Sequence, residues 1–360
     1  MRKLNFAAGP SVMPMEVLEE IQKNIVDYHG KGLSIIEASH RGGMFEEMYD
    51  ECLADFRSIL SIPDDYDVYF LGGGATLQFT MIPMNFLLEG KHADYTKTGS
   101  WSNKAADDAA KLGNVNIIFD GKESGYTTLP DPKTIKPSDG SCYFYLCSNE
   151  TIGGIEWQEF PDTGDVPLIA DMSSDMLSRP VDVSKFAMIY GGVQKNLGPA
   201  GATFIIMKHD MLEKRNPGMT AYMDYAKHAK DRGLYNTPPV FSIWAVGLVL
   251  KWIKENGGVK GMQENAAVKS GYIYDVIDNS SGFYRSPVDS RYRSRMNVVF
   301  RCPSDELEAK FLAEAQREGM IGLKGHRSVG GLRASLYNAL PMEDAASLAE
   351  FMKEFERRNG

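Results

Sequence analysis

The feature that most constrains the fold is Lys195, which stands between two short apolar runs, Ala187–Tyr190 and Ala202–Met207. Runs of that length without polar alternation read as strands buried on both faces, as in parallel sheets covered by helices. Between them, Gly191, Gly192, Gly198, Pro199 and Gly201 make a stretch too rich in breakers to continue either strand. An ammonium resists burial because water solvates it far better than protein does. A lysine there is either the solvated tip of a strand connection or an amine held in a pocket as a Schiff-base lysine.

The rest of the chain bears on that choice. Alternating apolar strands and amphipathic helices predict an α/β fold with a mostly parallel central sheet. Strands are expected at Asp67–Leu71, Ala93–Lys97, Val115–Phe119, Cys142–Cys147 and Pro167–Ala170, with a short extended run at Ser34–Glu37. Helices are expected at Met48–Leu60, Ala75–Leu88, Ser102–Leu112 and Val240–Glu255. The closing segment alternates helix and strand, with helices at 261–278, 304–318 and 343–357, and reads as a compact α+β unit. At 360 residues the chain suits two domains. We expect a segment 1–15 packing with the small domain, a large cofactor-binding domain 16–256, and a small domain 257–360.

Composition removes several classes of function. No apolar run can span a bilayer, and the first residues lack the apolar core of a signal peptide, so a cytoplasmic protein with no membrane partner is expected. Cys52, Cys142, Cys147 and Cys302 form no C-x-x-C pair and read as reduced core residues, not as a disulfide or zinc framework. A net charge of −9 opposes nonspecific binding to nucleic acid. Against it, cations gather at His40-Arg41, at Lys324–Arg327 and at Arg291-Arg293-Arg295. The first two lie in glycine-rich loops and suit a small anion; the third also reads as solvated surface.

Three further features carry chemistry. Gly72-Gly73-Gly74 follows a strand and opens a helix at Ala75-Thr76, which places unpaired amides where a phosphate can bind. The spacing satisfies neither nucleotide-binding motif. Val166–Asp171 is an apolar strand that delivers a carboxylate at its C-terminal end, where open α/β sheets place ligands. Lys195 lies one crossover unit further on. Phosphate loop, strand-end aspartate and loop lysine, in that order, suit a pyridoxal phosphate site. Asp171 would keep the ring nitrogen protonated and Lys195 would form the imine. Trp101, between strand and helix, offers a face for a planar ring. Arg333 sits in a strand-like stretch of small and apolar residues and needs an anion.

These residues stand in a set of motifs that resembles the phosphoserine aminotransferases over essentially the whole length. The motifs are Asn5-Phe-Ala-Ala-Gly-Pro10, Ser39-His-Arg-Gly42, Gly72-Gly-Gly74, Ser148-Asn-Glu-Thr-Ile-Gly-Gly154 and Ala170-Asp-Met-Ser-Ser174. They continue with Gln194–Gly201, Tyr235-Asn-Thr-Pro-Pro239, Lys324-Gly-His-Arg327 and Gly330–Asn338. The resemblance implies a fold-type-I enzyme with pyridoxal 5'-phosphate, a homodimer with shared active sites. It would transfer the amino group of L-glutamate to 3-phosphooxypyruvate by a ping-pong scheme in serine synthesis; 4-phosphohydroxythreonine in pyridoxine synthesis is a second substrate of some members. By resemblance Lys195 and Asp171 are catalytic, and Trp101 and Thr151 contact the ring. Ala75, Thr76 and Gln194 hold the cofactor phosphate, with Asn236 and Thr237 lent by the partner subunit. His40, Arg41, His326 and Arg327 hold substrate, and Arg333 its α-carboxylate. Ala7-Ala8 and Ala75-Thr76 depart from residues common in the family, which bears on affinity more than on chemistry. The main alternative is another aminotransferase of this fold acting on an unphosphorylated amino acid. A nucleotide-binding α/β protein leaves Lys195 and Asp171 unexplained.

Overall fold

A computed structural model describes residues 2–360. Seven strands form the central sheet, numbered here along the chain. They are β1 (Tyr66–Gly72), β2 (His92–Lys97), β3 (Asn114–Asp120), β4 (Phe144–Cys147), β5 (Leu168–Asp171), β6 (Met188–Gly192) and β7 (Ala202–Lys208). Their spatial order is β1-β7-β6-β5-β4-β2-β3. Neighbours from β6 through β3 are parallel, whereas β7 is antiparallel to both β1 and β6. The reversal follows from length: residues 193–201 are too few for the helical crossover that a parallel return requires.

Side chains alternate across the sheet as strand geometry dictates. Leu146, Ala170, Ile189 and Phe204 face a core closed by the helices Gly43–Leu60 and Val240–Glu255, through Phe56 and Trp244 among others. Tyr145, Ile169, Tyr190 and Ile205 face the other core, closed by Ala75–Phe86 and Ser100–Ala109. A third core combines Ile273, Tyr284, Phe300, Phe311 and Phe355 with Phe6 and Val12 from the start of the chain. There the strand Leu4–Asn5 pairs in parallel with Met320–Ile321, and Asn297–Phe300 pairs antiparallel with Leu332–Ser335.

Two local expectations are corrected. Gly191 and Gly192 continue β6, pairing with Phe204 and Thr203 of β7. They are glycines because of crowding: a Cβ at Gly191 would lie 2.7 Å from the Phe204 ring and 2.8 Å from the backbone of Ser173. Ser34–Glu37 is no extended run; Ile35–Glu37 is a 3-10 turn, started by a capping box between Ser34 and Glu37.

Lys269, on the helix Gly258–Asn279, is only 1% exposed. Its Nζ donates to the carbonyls of Tyr337, Asn338 and Leu340 at 2.7, 3.1 and 3.1 Å. Burial pushes its pKa down to about 7. The carbonyls pull the other way, since each needs an N–H and only the ammonium has three. Within the third cation cluster, Arg291 pairs with Asp289 and Arg293 with Asp278, each at 2.7 Å. Among the described residues no helix is long and apolar enough to cross a membrane.

Candidate active site

Asp171 ends β5 and Lys195 follows the end of β6, its parallel neighbour, so adjacent strand ends deliver a carboxylate and an amine to one place. Asp171 is 4% exposed. Its Oδ1 accepts from the Ser173 backbone N–H at 2.9 Å and from the Ser173 hydroxyl at 2.5 Å. Ser173 in turn accepts from the N–H of Gly192 at 3.0 Å, which ties the carboxylate to β6. Burial pushes the Asp171 carboxyl above its ordinary range, against the pull of Ser173 and of Lys195. A cation placed opposite Asp171 would restore the carboxylate.

Lys195 Nζ donates to Thr151 Oγ1 at 2.7 Å and lies 5.8 Å from the centre of the Trp101 ring. Desolvation lowers its pKa, and Asp171 is the foremost of the groups that oppose the shift. A lowered pKa enlarges the neutral fraction that can act as a nucleophile or base. The N-terminal segment presses on this lysine from the far side. Gly9 has φ +141°, and a Cβ there would meet Lys195 Cγ at 3.5 Å. Ser11 donates its hydroxyl to the Lys195 carbonyl.

Trp101 sits in the first turn of the helix Ser100–Ala109. The fully buried Glu150 holds that turn: it accepts from the N–H groups of Trp101 and Ser102 at 2.9 and 2.8 Å and from the Ser102 hydroxyl at 2.7 Å. A negative charge at a helix N-terminus opposes the positive end of its dipole. Gly99 is obligatory beside it, because a Cβ would fall 2.6 Å from Glu150 Cδ. The helix Ala75–Phe86 is the opposite case. Its N-cap is Gly74, which has no side chain to offer, so the amides at Ala75 and Thr76 stay open to a ligand.

Arg333 leaves the loop 324–331 on the strand Leu332–Ser335. Its Nη1 donates to the Thr151 carbonyl at 3.1 Å, while its buried Nε has no partner. Among the described residues no carboxylate pairs with it. Desolvation accordingly lowers its pKa. His326 stands near it, its own pKa lowered by burial and by the positive charges of Arg333, Arg327 and Lys104. Lys104, absent from the sequence-based candidates, places its ammonium 4.4 Å from the Trp101 ring centre.

Ala75, Thr76, Trp101, Thr151, Asp171, Gln194, Lys195, His326 and Arg333 all line one cavity of about 290 Å³. Five other expected residues do not line it. Arg327 is exposed in the loop beside His326, and His40 and Arg41 precede the helix Gly43–Leu60. Asn236 and Thr237 precede the helix Val240–Glu255, where Asn236 Nδ2 reaches the Thr237 carbonyl at 3.3 Å. Sequence reasoning also passed over Glu150 and Ser173. Ser173, two residues after Asp171, fits the local pattern in which an aspartate accepts from the chain ahead of it.

The donor set fits pyridoxal phosphate. A buried carboxylate suits a protonated ring nitrogen, an uncapped helix N-terminus suits a phosphate, Trp101 offers a flat face, and an amine of lowered pKa lies between. Trp101 Nε1 and Arg333 Nε, both buried without partners, leave donors for a ligand.

Comparison with known proteins gives one consistent result. The sequence profile described as aminotransferase class-V matches residues 3–348. The phosphoserine aminotransferase of Lysinibacillus sphaericus is 47% identical over 358 residues, 99% of each chain. Among solved structures, phosphoserine aminotransferase from Bacillus circulans subsp. alkalophilus superimposes with a TM-score of 0.98 at 48% identity, covering 100% of this chain and 99% of its own. The PLP-bound phosphoserine aminotransferase of Trichomonas vaginalis gives 0.90 at 39% identity, covering 98% and 100%.

Proposed function

Because the chain belongs to the class-V aminotransferases, and among them to the phosphoserine aminotransferases, we propose that it moves the amino group of L-glutamate to 3-phosphooxypyruvate, giving O-phospho-L-serine and 2-oxoglutarate. The observation that carries this reading is the one cavity where a half-buried amine, a buried carboxylate and a guanidinium with no counter-ion among the described residues meet. Pyridoxal phosphate, when bound, supplies a conjugated ring that spreads the electron pair left as the substrate Cα–H bond breaks.

The residues divide the work. Asp171, held by Ser173, would keep the ring nitrogen of the cofactor protonated. Trp101 would stack on the ring, Thr151 would hydrogen-bond its hydroxyl, and the amides at Ala75 and Thr76 with the Gln194 side chain would hold its phosphate. Lys195 would hold the cofactor, and its Nζ, whose pKa desolvation lowers, is the group suited to take the Cα proton of the substrate. Arg333 binds the α-carboxylate as a fork, which orients the Cα–H bond. His326 and Arg327 would bind the phosphate of the substrate, with His40 and Arg41 as further donors. Glutamate and 3-phosphooxypyruvate use the same site in turn, so initial-rate plots against either substrate should be parallel.

The residues outside the cavity support a homodimer. Gly73, Gly74 and Thr76 are exposed at the phosphate end, and we assign Asn236 and Thr237 of a second copy to that end. Mixing inactive Lys195→Ala chains with inactive Asn236→Ala/Thr237→Ala chains tests this. In a two-fold dimer each mixed pair regains one intact site, so activity should return to about a quarter of wild type. No recovery after subunit exchange would remove the shared site. Four free cysteines are consistent with a reducing, cytoplasmic setting.

The test of the reaction itself is a comparison of amino donors. Phosphoserine should be used far better than serine, and equal rates would favour an aminotransferase for unphosphorylated amino acids.

A further inference from the structure

The loop 325–331 carries His326 and Arg327, yet little holds it. Gly325, Gly330 and Gly331 make it intrinsically loose. Val329, its one large apolar residue, is 45% exposed. Its own hydrogen bonds are mostly internal: His326 Nδ1 to Ser328 Oγ at 2.7 Å, Gly330 N–H to the His326 carbonyl at 2.8 Å, and Gly325 N–H to the Gly331 carbonyl at 2.8 Å. Among the described residues, one side chain from outside reaches it by a hydrogen bond: Arg301 Nη2 donates to the carbonyl of Val329.

Arg301 is itself anchored. Its Nη1 lies 3.4 Å from Glu308 Oε2 and 3.9 Å from Asp305 Oδ1, both in the first turn of the helix Asp305–Arg317. Glu308 is 8% exposed, so that contact is partly shielded from water and salt. The glycines close over the guanidinium. Gly330 and Gly331 have φ +68° and +71°, and a Cβ at Gly331 would fall 2.8 Å from Arg301 Cδ. The Arg301 side chain, 43% exposed, lies along the backbone of these two glycines.

We infer that Arg301 is a positioning residue for recognition of the substrate's phosphate: it fixes the loop whose His326 and Arg327 meet that group, without touching substrate itself. The inference rests on the reading of the site given above. A phosphate dianion held by a loop is sensitive to where the loop's donors stand, because each hydrogen bond, charge-assisted at Arg327, needs its donor in place. Glutamate, held chiefly by Arg333 on a strand, depends on the loop less.

The experiment compares wild type with Arg301→Met, Arg301→Lys and Glu308→Gln as loaded enzymes, reading KM and kcat for O-phosphoserine and for glutamate. Limited trypsin cleavage after Lys324 and Arg327 is read in parallel. In Arg301→Met, KM for phosphoserine should rise about tenfold or more, several times the change for glutamate, with kcat within about twofold. Arg301→Lys should recover part of the loss, and cleavage in the loop should quicken in step with KM. Equal changes for both amino donors, or cleavage at the wild-type rate, would overturn the inference. If Arg301→Met does not fold, Glu308→Gln keeps Arg301 but weakens its anchor and must show the same split in smaller measure; its absence counts against the inference. A wild type indifferent between phosphoserine and serine would refute the functional reading instead, and quickened cleavage would then still show that Arg301 holds the loop.

Discussion

Among the described residues one lysine is buried and another is half-buried at the cavity, and only the second is proposed to do chemistry. Lys269 gives all three ammonium hydrogens to the carbonyls of Tyr337, Asn338 and Leu340. Lys195 makes one hydrogen bond, to Thr151, and its end opens into the space shared with Asp171 and Trp101. Burial lowers the pKa of both. A shifted amine is therefore no sign of function by itself; what differs is whether the protein has already satisfied it. The arginines repeat the contrast. Arg179 lies 3.5 Å from Glu156 and 3.6 Å from Asp175, whereas Arg333 has no acidic partner among the described residues.

The widest separation comes from removing each lysine. Lys195→Ala should cut turnover by at least about 10³-fold and remove the visible absorbance of the loaded enzyme, while the thermal midpoint changes little. An active, yellow Lys195→Ala enzyme would end the assignment. The arginines come next. Arg333→Met should raise KM for both amino donors by about ten- to a hundredfold, as loss of a charge-assisted fork does. Arg179→Met should leave KM alone and instead lower stability by about 3 kcal/mol, because it strands two buried carboxylates.

Lys269→Met should keep kcat within about twofold and cost roughly 2–4 kcal/mol, since three buried carbonyls lose their donor. Its pH dependence has a definite sign. The unfolded chain holds this proton up to its ordinary 10.5 and the folded chain only to about 7. Between those values the unfolded state binds more protons, so this group's contribution to stability rises with pH and is least favourable below about 7. Denaturant titrations from pH 7 to 10 should show that slope in wild type and less of it in Lys269→Met. The smallest effect is expected at Ser173→Ala. It removes one of two donors to Asp171 and should lower kcat several-fold by letting the carboxyl hold its proton.

The same contrast explains what was legible in the sequence. Lys195 and Asp171 stood out because each is polar at the end of an apolar strand, a local anomaly that any reader of periodicity meets. Lys269 did not, because it lies on a helix between exposed Val268 and Tyr272 and is buried only when residues 337–340 fold over it. Gly191 and Gly192 read as breakers because the ring of Phe204, which demands their smallness, comes from another strand. The strands and long helices were recovered to within a few residues, since their periodicity is local. Ser34–Glu37 failed because a capping box overrode a short apolar pattern. That His40, Arg41, Asn236 and Thr237 lie outside the cavity of one chain has no local signature at all.

The pairing of Leu4–Asn5 with Met320–Ile321 has a consequence for how the molecule is made. The strand Leu4–Asn5 leaves the ribosome long before Met320–Ile321 is made, so it must wait for its partner. The central sheet closes with β7, at Lys208, so it can assemble while the core around Ile273, Tyr284 and Phe311 is still being translated. Gly9, which flanks Lys195, is held in place by that late pairing and by the hydroxyl of Tyr337 on the Ala8 carbonyl. A chain cut short in its final quarter could thus carry Asp171, Trp101 and Lys195 on a formed sheet and still lack the wall that closes behind the lysine.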